Sequence, residues 1–133
     1  MATYNWGIDK TFKASGDISS YQYRPVVLDS SGLVTGVSAL SGSALGILQN
    51  DPSAANEEAT VRVFGFSKVW ACGAASVLEV GGYCKTGGGM VGGVSGFKNV
   101  NAASTWALGV VQDALTSGCA YIEIFFNPIR CGA

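Results

Sequence analysis

The chain contains no histidine, and only 13% of its 133 residues are charged. Without histidine it lacks the side chain that usually moves protons near neutral pH. A Ser or Cys nucleophile would then need lysine as its base. Ser95-Gly96-Phe97-Lys98 and Lys85-Thr86-Gly87 match two motifs of penicillin-binding enzymes. They occur in the reverse order, close together and without Ser-Asp-Asn, so they read as chance. The eight Lys and Arg are scattered and the net charge is −1. A nucleic-acid binder needs clustered cations, and a membrane-surface helix needs a basic amphipathic stretch; neither is present. Cys72, Cys84, Cys119 and Cys131 form no Cys-x-x-Cys pair, so no zinc site is expected. No cofactor is expected either. The start, Met1-Ala2-Thr3-Tyr4-Asn5-Trp6, has neither a basic region nor an apolar run, so no signal peptide is expected. That points to a cytosol-like compartment, where the cysteines are expected to be reduced and buried.

Other candidate sites also resolve into structural roles. Glu57-Glu58 precedes a strand and reads as a solvated turn. Asp29, Asp51 and Asp113 fall at predicted strand ends, where carboxylates bond nearby backbone N–H groups. The run Gly87 to Gly96 lacks the spacing of a phosphate loop, because Cys84 stands where a glycine is required. An enzyme is therefore the least supported class.

What the chain does have is apolar: 48% hydrophobic residues and 19 glycines that punctuate short apolar runs. That is the pattern of many short strands joined by turns. A chain of this length can bury roughly two thirds of its unfolded surface in one core. Low charge combined with high apolar content implies surface that is covered by partners. Near the start, Tyr4, Trp6, Ile8 and Phe12 alternate with polar residues. They predict a first strand, or an arm that adds to a neighbouring sheet. Tyr23 to Asp29, Ser30-Ser31-Gly32 and Leu33-Val34-Thr35 read as a hairpin whose glycine takes a positive φ. Tyr83 to Thr86, Gly87-Gly88-Gly89 and Met90-Val91 read as a second hairpin.

Ala44-Leu45-Gly46-Ile47-Leu48-Gln49-Asn50 recurs as Ala107-Leu108-Gly109-Val110-Val111-Gln112-Asp113. An alternating strand follows each copy. Aligning these strands matches Val61 and Val63 with Ile122 and Ile124, and places Arg62 and Glu123 at equivalent outward positions. The expected fold is mostly β: a small antiparallel β-barrel or sandwich built from two related β units, with an extended N-terminal arm. Residues 1–16 form the arm or first strand, and 17–133 form one β domain with repeats near 23–70 and 82–128. Short helices are expected within Ala71 to Val80 and after Asp113. Tyr4, Trp6, Ile8 and Phe12 are candidate interface anchors. Arg62 and Glu123 are a candidate pair across the sheet or between protomers.

The chain also resembles a known family. The resemblance rests on Tyr23-Arg24-Pro25-Val26-Val27-Leu28-Asp29-Ser30-Ser31-Gly32, Leu45-Gly46-Ile47-Leu48-Gln49-Asn50-Asp51-Pro52, Glu58 to Val69, Ala107 to Ala114 and Tyr121 to Pro128. Their order and spacing resemble the capsid decoration, or cement, proteins of tailed bacteriophages over about Asp17 to Pro128. The resemblance implies a virion protein, assembled in the host cytoplasm, on the outer surface of the phage head. It implies binding to the major capsid protein, commonly as a homotrimer, with no nucleic-acid or membrane partner. It also implies that the protein clamps neighbouring capsid subunits. A tail- or fibre-associated adhesion module binding host glycans is the alternative, and a small-molecule-binding barrel a more distant one. The aromatic start suggests that Tyr4 to Phe12 forms the clamp, and that deleting Met1 to Lys13 would remove binding while leaving the domain folded.

Overall fold

The computed structural model describes residues 6–37, 44–72, 81, 83–86, 94–97, 105–113 and 119–131. Among the described residues nine strands follow in order: β1 (Gly7–Lys13), β2 (Pro25–Leu28), β3 (Val34–Gly36), β4 (Gly46–Leu48), β5 (Glu58–Cys72), β6 (Tyr83–Thr86), β7 (Val94–Phe97), β8 (Thr105–Val111) and β9 (Cys119–Cys131). Among the described residues the helical structure is a single 3-10 turn, Ser19–Tyr21. Ala71, expected to open a helix, lies inside β5. Cys72 also belongs to β5, and the rest of that expected helix, like the one after Asp113, falls outside the described residues.

The pairings repeat. In the first half β2 pairs with β3, β2 with β4, and β4 with β5. In the second half β6 pairs with β7, β6 with β8, and β8 with β9. The register repeats as well. Val26 stands opposite Gly46 as Cys84 stands opposite Gly109, and Leu48 opposite Val61 as Val111 opposite Ile124. The first strand of each unit obeys the same rule: β1 runs antiparallel to the first part of β5, and the second part of β5 runs antiparallel to β9. Strand β5 is thus the last strand of one unit and the first of the next. At the end of each first strand an alanine makes one parallel pair with a valine of the hairpin: Ala14 with Val34, and Ala71 with Val94. One residue pair does not make a barrel wall, and the architecture is sandwich-like.

Local chemistry explains why the copies share a register. Gly46 and Gly109 lie so close to the neighbouring strand that a Cβ on either would overlap the carbonyl oxygen of Arg62 or Phe125. The Gln49 N–H donates to the Thr60 carbonyl, as the Gln112 N–H donates to that of Glu123. The Asn50 side chain accepts from the Thr60 N–H at 2.9 Å, as Asp113 accepts from the Glu123 N–H at 3.0 Å. These contacts correct the strand alignment read from the sequence. Val61 corresponds to Ile124, Arg62 to Phe125 and Thr60 to Glu123, a shift of two residues. Tyr23 and Gly81, which donate to the carbonyls of Leu48 and Val111, both take positive φ, 60° and 81°.

Each unit has its own core. Ala14, Ile18, Val26, Val34, Leu48, Ala59 and Val61 fill the first. Val69, Ala71, Cys84, Leu108, Val111, Ile122, Ile124 and Phe126 fill the second, joined by Val37, Ala44 and Ile47 from the other side of the first unit's strands. The units are therefore stacked, and that seam is the sandwich contact. Each large aliphatic side chain buried this way contributes about 1.5–3 kcal/mol. The first hairpin closes as read from the sequence: Gly32 takes φ 79°, and Asp29 accepts from the N–H groups of Ser31 and Leu33.

The cysteine expectation divides. Cys84 is free and buried, and burial pushes its thiol up to about 12. Cys119 is disulfide-bonded, which corrects the expectation of reduced thiols. The backbone residue opposite it on β5 is Cys72.

Candidate interaction surface

The expected apolar face of the first strand is divided by a register shift between Ile8 and Asp9. Ile8 stands opposite Phe64, but Asp9 stands opposite Arg62, so the alternation changes phase. Phe12 consequently lies opposite Ala59 and packs on the first core. Trp6 and Ile8 remain outside, each 55% exposed, with Trp6 edge-on to Phe64. Tyr4 lies outside the described residues. The two exposed anchors and Phe12 thus serve different faces.

Arg62 is also corrected. Its position is not exposed: the side chain is buried. Its guanidinium donates to both Asp9 carboxylate oxygens, at 2.7 and 3.0 Å, and to the Phe66 carbonyl at 2.7 Å. Gly7 makes room for its stem, because a Cβ there would overlap it. The carboxylate partner of Arg62 is therefore Asp9, and Glu123 instead stands opposite Lys68. Burial, reinforced by the nearby Asp113 carboxylate, raises the pKa of Glu123 above the usual carboxylate range. Because Asp9 and Phe12 hold β1 to the body of the protein, removing residues 1–13 would take the Asp9 carboxylate from a buried arginine and open the first core. That placement argues against the expectation that such a truncation leaves the domain folded.

The prominent surface feature escaped the sequence reading. Directly opposed residues of antiparallel strands share a face. On the side of β5 and β9 away from the second core, Phe66 opposes Phe125, Lys68 opposes Glu123 and Trp70 opposes Tyr121. Rings meet edge to face along this strip. Trp6 meets Phe64 at 6.1 Å, Phe64 meets Phe125 at 5.2 Å, and Phe125 meets Phe66 at 5.0 Å. Farther along, Trp70 meets Tyr121 at 5.0 Å and Tyr121 meets Tyr23 at 5.9 Å. The Lys68 ammonium lies 4.8 Å from the centre of Tyr23 and 4.6 Å from that of Tyr121, and Arg24 lies over Trp70. Each such ring pair contributes about 0.5–1.5 kcal/mol beyond area burial. Tyr121 is nevertheless 50% exposed, and Lys68 is exposed beside it. The available signal was the period-two row Phe64, Phe66, Trp70 on the side of β5 opposite its buried valines.

Among the described residues no group of three or more His, Cys, Asp or Glu could hold a metal. Among the described residues no helix is long and apolar enough to cross a membrane. No protein-family model and no curated protein matches the chain. Among solved structures, the chain is similar to the N base of head fiber gp8.5 of bacteriophage phi29. The identity is 13% and the TM-score 0.64, over 95% of this chain and 98% of that one. The two share a fold from end to end.

Proposed function

We propose that this chain is a structural protein of a bacteriophage virion that sits on the outside of the head and stabilises contacts between major capsid proteins. The observation that carries this reading is the end-to-end likeness of fold to a phage head-fibre base. The composition supports it: a small chain with 13% charged residues and a row of partly exposed rings is suited to contact with protein surfaces. A head protein of this kind acts mechanically. Weak contacts repeated over a lattice become strong through avidity. Preference for the mature lattice over the immature one stabilises the mature state by linkage. Association as a homotrimer would let one surface serve every copy around a threefold axis.

The deciding measurement is copy number in purified virions relative to the major capsid protein. A ratio near one, or a fixed large fraction of it, is expected. A handful of copies per particle would assign the chain to the tail or a vertex. Absence from virions would overturn the proposal.

A further inference from the structure

The duplicated units provide an internal comparison. The fold demands the same backbone pairing at β1–β5 and at β5–β9, yet the outward side chains differ in kind. Where the first unit has Asp9 opposite Arg62, the second has Phe66 opposite Phe125. Thr11 opposite Thr60 corresponds to Lys68 opposite Glu123, and Lys13 opposite Glu58 corresponds to Trp70 opposite Tyr121. In the first unit Asp9, Thr11, Lys13 and Glu58 are exposed polar residues. The pairing geometry therefore does not require aromatic side chains on this face. Part of the difference is internal, since Tyr23 and Arg24 of the first unit lie against Tyr121 and Trp70. That packing does not account for the exposure of Tyr121, Trp6 and Ile8.

The charges on this face indicate what covers it. Among the described residues no carboxylate lies within ion-pair distance of Lys68, whose ammonium rests on two ring faces. Glu123 is the carboxylate directly opposite Lys68. Glu123 is half-buried, whereas Lys68 is exposed. The face is apolar with a cationic bias, which complements an apolar surface fringed with carboxylates.

We propose that the outer face of β5 and β9, centred on Phe66, Lys68, Tyr121 and Phe125 with Trp6 at its margin, is the docking surface, and that its occupant is an apolar, carboxylate-bearing patch of the capsid protein. This rests on the head-protein reading above. The β1 edge is the weaker candidate, because its register shift and its lysines, Lys10 and Lys13, are the devices by which edge strands avoid pairing.

The test compares exposed positions in the two units. Tyr121→Glu installs the residue that the first unit carries at the equivalent position, Lys68→Glu reverses the charge, and Glu58→Ala is the control on the first unit. Co-sedimentation with purified heads lacking the protein measures binding. Sedimentation velocity of the free proteins measures self-association, and circular dichroism with thermal melting checks the fold. Tyr121→Glu and Lys68→Glu are each expected to weaken head binding at least tenfold while folding and self-association stay unchanged, and Glu58→Ala is expected to bind like the parent. Parent-like binding by both face variants would overturn the proposal. So would loss of self-association with head binding retained, which would assign the face to a second copy. Failure of the parent protein itself to bind heads would overturn the capsid reading, and with it the proposed occupant.

Discussion

Arg62 and Asp9 form a two-pronged ion pair, buried on the arginine side, that ties the first strand to the spine of the fold. The arginine is 7% exposed in its side chain and the aspartate 36%, so the two are desolvated unequally. Removing the carboxylate takes the two-pronged anionic contact from the more deeply buried charge, while the Phe66 carbonyl still accepts from it. Asp9→Ala is therefore expected to cost about 2–3 kcal/mol. Replacing Arg62 with Met, which removes the buried charge itself, should cost less. Urea unfolding of both single variants and the double variant checks this, and absence of coupling between the sites would rule out the clamp.

Gly46 and Gly109 perform one task twice. Alanine at either would drive a methyl group into a backbone carbonyl of the adjacent strand, which cannot rotate away. Each substitution is expected to destabilise by at least about 2 kcal/mol. Gly16 is the matched control, with open space where its Cβ would lie. Gly16→Ala should be neutral or stabilise by up to about 1 kcal/mol by restricting the unfolded chain. Similar losses at all three positions would show that the close approach is not what selects glycine.

The same pair of glycines marks how far the sequence could be read. The repeated Ala-Leu-Gly motif was visible because close backbone approach and a side-chain acceptor after the strand leave fixed residue types at fixed spacing. The pairing of the strands that follow was not visible. Side chains in a strand alternate with a period of two, so sliding one copy by two residues keeps every apolar residue on the same face. Only the cross-strand contacts of Gly46 and Gly109 choose between the alignments. The shift at Ile8 and Asp9 was hidden for a related reason, since it depends on β5 and leaves no mark in β1 itself. Ala14 and Ala71 complete each unit through one parallel pair, and an alanine carries no sign of that role. The outward aromatic row was legible in principle but was outweighed by the more obvious aromatic start.

Among the described residues, Cys84 and Glu123 make stability depend on pH through raised pKa values. Burial holds the Cys84 thiol neutral up to about 12, against 9.0 in its ordinary state. Unfolding therefore releases its proton more readily, and stability should fall as pH rises from about 9 towards 12. Glu123 is raised by burial and by Asp113. Its contribution favours the fold below the ordinary carboxylate range and is lost as pH rises through its folded value. Glu123→Gln, which keeps the shape without the charge, is expected to be more stable than the parent at pH 7. The same variant should show a smaller decline just above the ordinary carboxylate range. Thermal melts across pH check both slopes, and a lower melting temperature for Glu123→Gln at pH 7 would count against the charge argument.

Cys119 is bonded, Cys84 is free, and the backbone identifies the partner. Cys131 lies at the far end of the same strand, twelve residues on, a separation of about 40 Å along extended β structure. Cys72 stands directly opposite Cys119, where antiparallel Cα atoms are about 4.5–5.5 Å apart and within disulfide range. Peptide mapping without reduction is therefore expected to recover Cys72 linked to Cys119, with Cys84 modified by thiol reagents only after unfolding. A bond between Cys72 and Cys119 would close the long connection that contains β6, β7 and β8, so Cys72→Ser should lower stability by about 3 kcal/mol. Because the ladder through Trp70 and Tyr121 is independent of the sulfur bridge, the variant should keep its fold and its docking face. Recovery of a Cys119–Cys131 peptide would mean that β9 does not run extended to its end, and would remove the register on which the second unit is built.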